Sequence, residues 1–404
     1  MNFQFSDEEK SKINKDAERQ WINYQKADHK CYKKDCKEIS IGSHAISESI
    51  SLAKISVNGE MNYFESKRNG FESKSLFIKP IGKGVASTFQ GFCEKHDTSI
   101  FIDIDNSPHK YSVKQILLQC YRSVCYADYH NNYYTKVFDD SSFDFVRNFV
   151  FNSSESEFFK GNVKVLEKKE EILEDIIRKT IDSINYEHRI FYDLKTKMEF
   201  LLEWIEEKKF EDPFNHTLKQ RCNLLGFSFF YRKVAVKIPV AVVNQHILRI
   251  NGNKTYLLFT VVPYADSTEI YWIFEDAYYE TLSKKWDEMN ATEINLLNRI
   301  ESSMIQFEHW FIDPRIINSI PTNRLNIIKE DIVYNHDKNV FVDYDLSIFD
   351  DLRLDFIKYV DESTRLIERQ KIDNNVQRNP KNERERLYKE YVLNQILNIR
   401  IDCR

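Results

Sequence analysis

The sequence is poor in residues that interrupt regular structure, with only 9 Gly and 8 Pro among 404 residues. Long low-complexity linkers, which depend on such residues, are therefore excluded. It also lacks any run of about 18 apolar residues, the length that a membrane-spanning helix needs. Residues 1–15 are polar and charged, without the apolar stretch of a signal peptide, so we expect a cytoplasmic protein with no membrane association.

Several functional motifs are absent as well. The sequence contains no P-loop, no Gly-x-Gly-x-x-Gly and no Gly-x-Ser-x-Gly, so nucleotide binding and serine hydrolysis have no motif support. The net charge of -5 argues against attraction to nucleic acid over the whole surface. What the chain does have is apolar content, 42% hydrophobic and 14% aromatic, enough to bury large cores.

The clearest helical signal runs over residues 165–209. Ten positions step by four and three without a slip, which predicts one long helix, or two with a break, carrying a heptad-type seam. These positions are Leu173, Ile177, Thr180, Ile184, Glu187, Phe191, Leu194, Met198, Leu201 and Ile205. The seam needs a partner. We favour another helix of this chain, and a second copy or a partner protein is the alternative.

The rest of the chain divides between helical and strand-like patterns. Period-two alternation predicts an antiparallel sheet from the strands Phe227–Val236, Val240–Ile250, Tyr256–Val262 and Glu269–Phe274. Shorter strands are predicted within Ser51–Tyr63, at Phe77–Pro80, and as a pair at Ile332–Tyr334 and Val340–Val342. Helices are predicted over 5–27, 111–127, 277–286, 292–311, 350–370 and 381–399.

Taken together, these patterns predict an α+β protein of three domains. Residues 1–108 form an N-terminal module, 109–215 a helical region with the long helix, and 216–404 an α+β domain with the sheet and the C-terminal helices. Cys120 and Cys125 fall on the helix predicted over 111–127, where we interpret them as core residues.

Soft metal ligands gather in the N-terminal module. Cys31-x4-Cys36 and Cys93-x2-His96 are two compact pairs, separated by a stretch with hairpin signals. Zinc prefers four tetrahedral N or S ligands, and clustered Cys in a reducing compartment more often binds metal than forms disulfides. The spacing therefore predicts a structural zinc ion held by Cys31, Cys36, Cys93 and His96 in a treble-clef-like ββα module. The alternative is two unrelated pairs of buried residues.

With Ser43-His44 after the first pair and Asp97 directly after the second, this layout resembles an HNH endonuclease with a zinc knuckle. The resemblance covers about 70 residues. It implies that His44 is the general base that activates water and that Asp97 helps to hold Mg²⁺ or another divalent ion on the scissile phosphate. Ser43 stands where the family has a carboxylate that binds this ion, and a hydroxyl is a poorer ligand for it.

The layout is also similar to that of bacterial proteins with the same Cys pair, Ser-His-x-Ile-Ser and Gly-Phe-Cys-x2-His-Asp. Because some HNH-like bacterial proteins act in phage defence, the resemblance implies that context. The leading hypothesis is a zinc-binding, HNH-like protein that binds or cleaves DNA or RNA. The alternative is a non-enzymatic interaction protein in which zinc is purely structural, His44 makes only local hydrogen bonds and Asp97 orients His96.

Lysines and one arginine around the ligand pairs would meet phosphates in the first hypothesis, and a solvated surface explains them equally well. They are Lys26, Lys30, Lys33, Lys34, Lys37, Lys67, Arg68, Lys74, Lys79 and Lys83.

Overall fold

The computed structural model describes nine stretches of the chain. They are residues 19–69, 73–106, 112–137, 169–208, 217–306, 309–334, 339–373, 378–384 and 386–387. The predicted helix over 381–399 and the first part of the predicted helix over 5–27 lie largely outside them.

Ten strands are present in these stretches: β1 (Gly42–His44), β2 (Glu60–Asn69), β3 (Ser73–Gly82), β4 (Thr88–Gln90), β5 (Thr217–Cys222), β6 (Phe227–Val234), β7 (Val240–Ile250), β8 (Asn253–Pro263), β9 (Thr268–Glu275) and β10 (Trp310–Ile312). The main helices are α1 (19–26), α2 (Glu94–Asp105), α3 (Val113–Val137), α4 (Lys169–Lys208), α5 (Tyr279–Asn290), α6 (Glu293–Gln306), α7 (Pro314–Ser319), α8 (Thr322–Val333), α9 (Asp350–Phe356) and α10 (Glu362–Asp373).

Eight of the strands form one antiparallel sheet in the order β3-β2-β10-β7-β8-β9-β6-β5. The predicted antiparallel sheet and the α+β class are thus confirmed. The turn between β7 and β8 shows why the local sequence works. Asn251 and Gly252 both have positive φ, 52° and 83°, as a two-residue hairpin turn requires.

Side chains alternate between two cores on opposite faces of the sheet. On one face, Phe229, Tyr231 and Ile273 pack with α3, α4 and the N-terminal module. On the other face, Phe230 and Trp272, with their neighbours, pack with α5, α6 and α8. The sheet is therefore the middle of three layers, and both of its faces are buried.

Helix α3 lies at the centre of the first layer, where its cysteines Cys120 and Cys125 are fully buried, as predicted. Helix α4 packs along it. Where its side chains are described, the predicted seam is buried: Phe191 and Met198 are inaccessible to solvent. This half of the seam therefore has a partner within the chain. Along the described stretches, no helix combines the length and apolar character needed to cross a membrane.

Three of the predicted short strands are wrong, namely the first strand within Ser51–Tyr63 and both members of the C-terminal pair. Residues 51–55 are helical, because Glu48–Leu52 forms a π-helical turn that continues into Ala53–Ile55. Leu52 and Ile55, three residues apart, are both fully buried on this turn. The predicted pair at 332–334 and 340–342 is also wrong, since residues 322–333 form α8 and 340–342 lie in a turn and bend.

The hairpin β2–β3 joins the N-terminal module to the large sheet. Its strands pair from Glu60 with Gly82 to Asn69 with Ser73, and β2 pairs with β10 at Asn62 and Tyr63. The three-domain division stays a prediction, and this shared sheet ties its first and third members together.

Candidate metal centre and the adjoining histidine

The first pair of predicted ligands lies on a tight knuckle. Asp35 adopts φ 62°, and the Cys36 N–H donates to the Lys33 carbonyl at 3.1 Å. The Cys31 N–H donates to the Glu38 carbonyl at 3.0 Å, which closes the base of the turn. The backbone thus directs both cysteines of Cys31-x4-Cys36 to one side of the knuckle.

The second pair lies at the start of α2, for which Cys93 is the N-cap residue. Strands β1 and β4 pair antiparallel, with Ser43 opposite Phe89, so the order is strand, strand, helix. The predicted ββα arrangement is therefore present. The segment between the two strands carries the helical turns at 48–55 and the hairpin β2–β3.

Backbone hydrogen bonds bring the two pairs together. The Tyr32 N–H donates to the Gly91 carbonyl, and the Ile41 N–H donates to the Phe92 carbonyl, both at 2.7 Å. Gly91 is required at this crossing, because an added Cβ would lie 2.2 Å from the ring of Phe89.

Cys31, Cys36, Cys93 and His96 form one compact group, with their ligand atoms all within 4.8 Å of one another. The Cys31 and Cys93 sulfurs lie 3.4 and 3.3 Å from His96 Nδ1, and Cys36 Sγ lies 3.9 Å from Cys93 Sγ. Around tetrahedral zinc, the S to N and S to S edges are about 3.6 and 3.8 Å. The residues present therefore fit a metal ion such as zinc.

The surroundings of the two buried thiols differ. Burial raises the pKa of Cys31 to about 11. The backbone N–H of His96 holds the pKa of the Cys93 thiol below its usual value, at the N-terminus of α2. Because zinc binds the thiolate, Cys93 is the cysteine whose environment already favours the metal-binding form.

Ser43 and His44 follow one another on β1 but point to different surroundings. Ser43 is fully buried, and its Oγ accepts a hydrogen bond from the Phe92 N–H at 3.3 Å. His44 is half-buried, and its Nε2 lies 3.3 Å from the Lys83 carbonyl oxygen. Ser43 thus holds β1 to the segment before α2, whereas His44 lies closer to solvent.

Charged groups surround His44. Its Nε2 is 4.0 Å from the Glu48 carboxylate, which also pairs with Lys83 Nζ at 2.8 Å. Burial lowers the pKa of His44, and the negative charges of Glu48 and Asp97 partly oppose this effect. Asp97 Oδ1 is buried and accepts no hydrogen bond from the described residues. Burial thus favours the neutral imidazole of His44, with carboxylates nearby.

Sequence reasoning missed Glu48 and the pairing of Lys83. The signal was present in the spacing of His44 and Glu48, which are four residues apart on the way into a helical turn. No element was predicted over residues 44–50, and the strand predicted from Ser51 overlaps only the end of this turn.

Three lysines of the predicted basic patch make ion pairs. Lys33 Nζ lies 3.1 Å from Glu199 and 2.9 Å from Glu203, and Lys79 Nζ lies 2.5 Å from Glu65. The third is Lys83, paired as above. Three of the ten positive charges of the patch are therefore compensated locally.

The knuckle is also docked on α3 and α4. Lys195 Nζ, on α4, lies 3.8 Å from the centre of the Tyr32 ring and 2.5 Å from the Asp128 carboxylate on α3. Asp128 is 2% exposed and Lys195 is 8% exposed. The metal-ligand segment is thus an integral part of the first layer.

Comparison of this chain with protein-family models, with curated proteins and with solved structures finds no match. What the geometry defines is a Cys3His group that could hold a metal ion. Among the described residues, no other group of three or more His, Cys, Asp or Glu side chains is close enough to do so. The catalytic roles of Ser43, His44 and Asp97 stay predictions.

Proposed function

We propose that this chain is a zinc-binding, HNH-like protein that acts on nucleic acid, with zinc in a structural role. Cys31, Cys36, Cys93 and His96 would hold the zinc. A set of four protein ligands leaves no open position for a substrate, which is the usual arrangement of a structural site. The chemistry would therefore belong to residues beside the zinc.

The observation that carries the proposal is the setting of His44. Burial lowers its pKa, which favours the neutral imidazole, and Glu48 and Asp97 contribute negative charge near it. A neutral imidazole can take a proton from a water molecule as that water attacks the phosphorus of a phosphodiester, while the leaving oxygen departs. Mg²⁺ or another divalent ion, when bound, would stabilise the charge that develops on the phosphate.

In this proposal Ser43 has a positioning role, because it is buried and bonded to the Phe92 N–H. Asp97 is the carboxylate that would help to hold the divalent ion, since one of its oxygens has no hydrogen-bond partner among the described residues. Phage defence is the biological context that the resemblance implies.

The test is cleavage of plasmid DNA, single-stranded DNA and RNA by the full chain, with Mg²⁺, Mn²⁺ or Ni²⁺ added in turn. His44→Ala should abolish cleavage. His188→Ala is the matched control, because His188 is also half-buried but lies on α4, and this variant should cleave like the parent. Equal cleavage by all three proteins would eliminate His44 as the base.

The second candidate is a non-enzymatic interaction protein. Two observations favour it: lysines near the module are already paired with carboxylates, and the described residues contain no preformed second metal site. If this candidate is correct, no nucleic acid is cleaved or bound, and His44→Ala is neutral. Zinc-ligand variants would still lose the metal and loosen the module.

A further inference from the structure

The outer face of α4 carries an unusual row of side chains. Arg189, Tyr192, Thr196, Phe200 and Glu203 follow one another at spacings of three, four, four and three residues. At about 100° per residue they share a single face, opposite the buried seam. All five are exposed, with Tyr192 at 56% and Phe200 at 61%. We call these five residues the outer stripe.

Tyr192 and Phe200, two turns apart on this face, are large apolar side chains open to solvent, and such surface favours association. Because the spacing of the outer stripe reads the same in both directions, it is centred on Thr196. Residues at equal distances from Thr196 are also chemically complementary. Tyr192 and Phe200 are both aromatic, and Arg189 and Glu203 carry opposite charges.

We propose that the outer stripe binds the outer stripe of a second copy of this chain, antiparallel, about a two-fold axis through Thr196. In a two-fold interface, if residue i of one copy contacts residue j of the other, then residue j of the first copy contacts residue i of the other. Tyr192 would then pack on Phe200 of the second copy, and Arg189 would pair with Glu203 of the second copy, twice each. Aromatic pairs and interhelical ion pairs are the contacts that typically stabilise such helix pairs.

The charges of the outer stripe favour an antiparallel over a parallel pair of helices, and a second copy of the chain over nucleic acid. A parallel pair would bring Arg189 against Arg189 and Glu203 against Glu203, which is unfavourable. Nucleic acid is disfavoured as the occupant, because the exposed carboxylates of Asp193 and Glu203 border the aromatic residues. A face of one helix is smaller than a standard interface, so we expect a dimer with micromolar affinity.

Sedimentation equilibrium of the full chain from about 1 to 200 µM tests the proposal. The parent should dimerise, and Phe200→Glu should be monomeric throughout. Arg189→Glu and Glu203→Arg should each weaken the dimer by about tenfold or more, because each places like charges together. The double variant should return to within about threefold of the parent, since the pair is restored with its charges exchanged.

Two controls make the outcome decisive. Glu203 also contacts Lys33, so Lys33→Ala must leave the dimer intact if only the stripe matters. Circular dichroism should be unchanged in all variants, because the altered stripe residues are exposed and Lys33 is half-buried at the surface. A chain that stays monomeric at 200 µM overturns the proposal. So does a dimer that survives Phe200→Glu, which would use another surface, or a double variant that stays as weak as the single ones.

Discussion

Replacing one residue of the proposed zinc site should release the metal and loosen the N-terminal module. Cys36→Ser is the most informative change, because Cys36 is only half-buried and Ser fits its place without a packing penalty. Its sulfur lies 3.9 Å from that of Cys93, so its loss removes one corner of the ligand group. Cys222→Ser is the matched control, since Cys222 is also half-buried but lies outside the group.

Two order-of-magnitude figures set the scale of the stability at stake. The zinc would join Cys36 to Cys93 across 57 positions of sequence. A cross-link that closes a loop of this length stabilises a fold by about 4 kcal/mol. Mass action gives about 4 kcal/mol when free zinc exceeds its dissociation constant a thousandfold. With an unfolding entropy of about 2.1 cal/mol/K per residue, this corresponds to about 5 °C in Tm for the whole chain.

The assay combines zinc content by mass spectrometry with thermal unfolding, with and without a chelator. The parent and Cys222→Ser should contain one zinc per chain and lose about 5 °C on chelation. Cys36→Ser should contain no zinc and should not respond to the chelator. A zinc-free parent, or a Cys36→Ser protein that keeps its zinc and its Tm, would refute the assignment of this group.

Three further changes test other parts of the structure by denaturant unfolding. Gly91→Ala should cost about 1–3 kcal/mol through its clash with the aromatic ring two residues earlier, whereas Gly42→Ala, with open space around it, should be neutral. Burial lowers the pKa of His246 to about 3, so the unfolded protein binds a proton at this side chain more readily than the folded protein does. The free energy of unfolding should therefore fall by about 1.4 kcal/mol per pH unit below pH 6.5. His246→Gln should remove this contribution. Lys195→Met should cost about 3–5 kcal/mol, because the buried Asp128 loses its ammonium partner and keeps only His188 Nε2 at 3.8 Å. Asp128→Asn in the same protein should recover part of this. Equal stability of Lys195→Met and the parent would contradict the role of the pair.

Local chemistry made much of the fold predictable. The alternation over 240–250 gave both ends of β7, and the Asn-Gly turn gave its hairpin with β8. The metal-ligand group followed from the spacing within each pair and the tendency of zinc to take two pairs. These features need only a few neighbouring residues, so a single sequence carries them.

The rest depends on contacts between distant segments. Trp310 and Phe311 were included in the helix predicted over 292–311, yet together with Ile312 they form β10, which pairs with β2 on one side and β7 on the other. Three apolar residues do not distinguish a buried helix end from a strand. Likewise, Glu48 approaches His44 because a helical turn follows it, and Leu52 and Ile55 are buried on that turn. The alternation of apolar residues after Ser51 favoured the two-residue period of a strand instead.

The position of β10 has a consequence for the metal centre. The hairpin β2–β3 lies between the two ligand pairs in sequence, and β10 fixes it to the large sheet. The pairing of β1 with β4 then closes the segment at its base. Much of the entropy of bringing Cys36 near Cys93 is therefore offset by strand pairing before any metal binds. The sheet thus preorganises the ligand group, and zinc binding in turn should stabilise the edge of the sheet that β2 and β3 form.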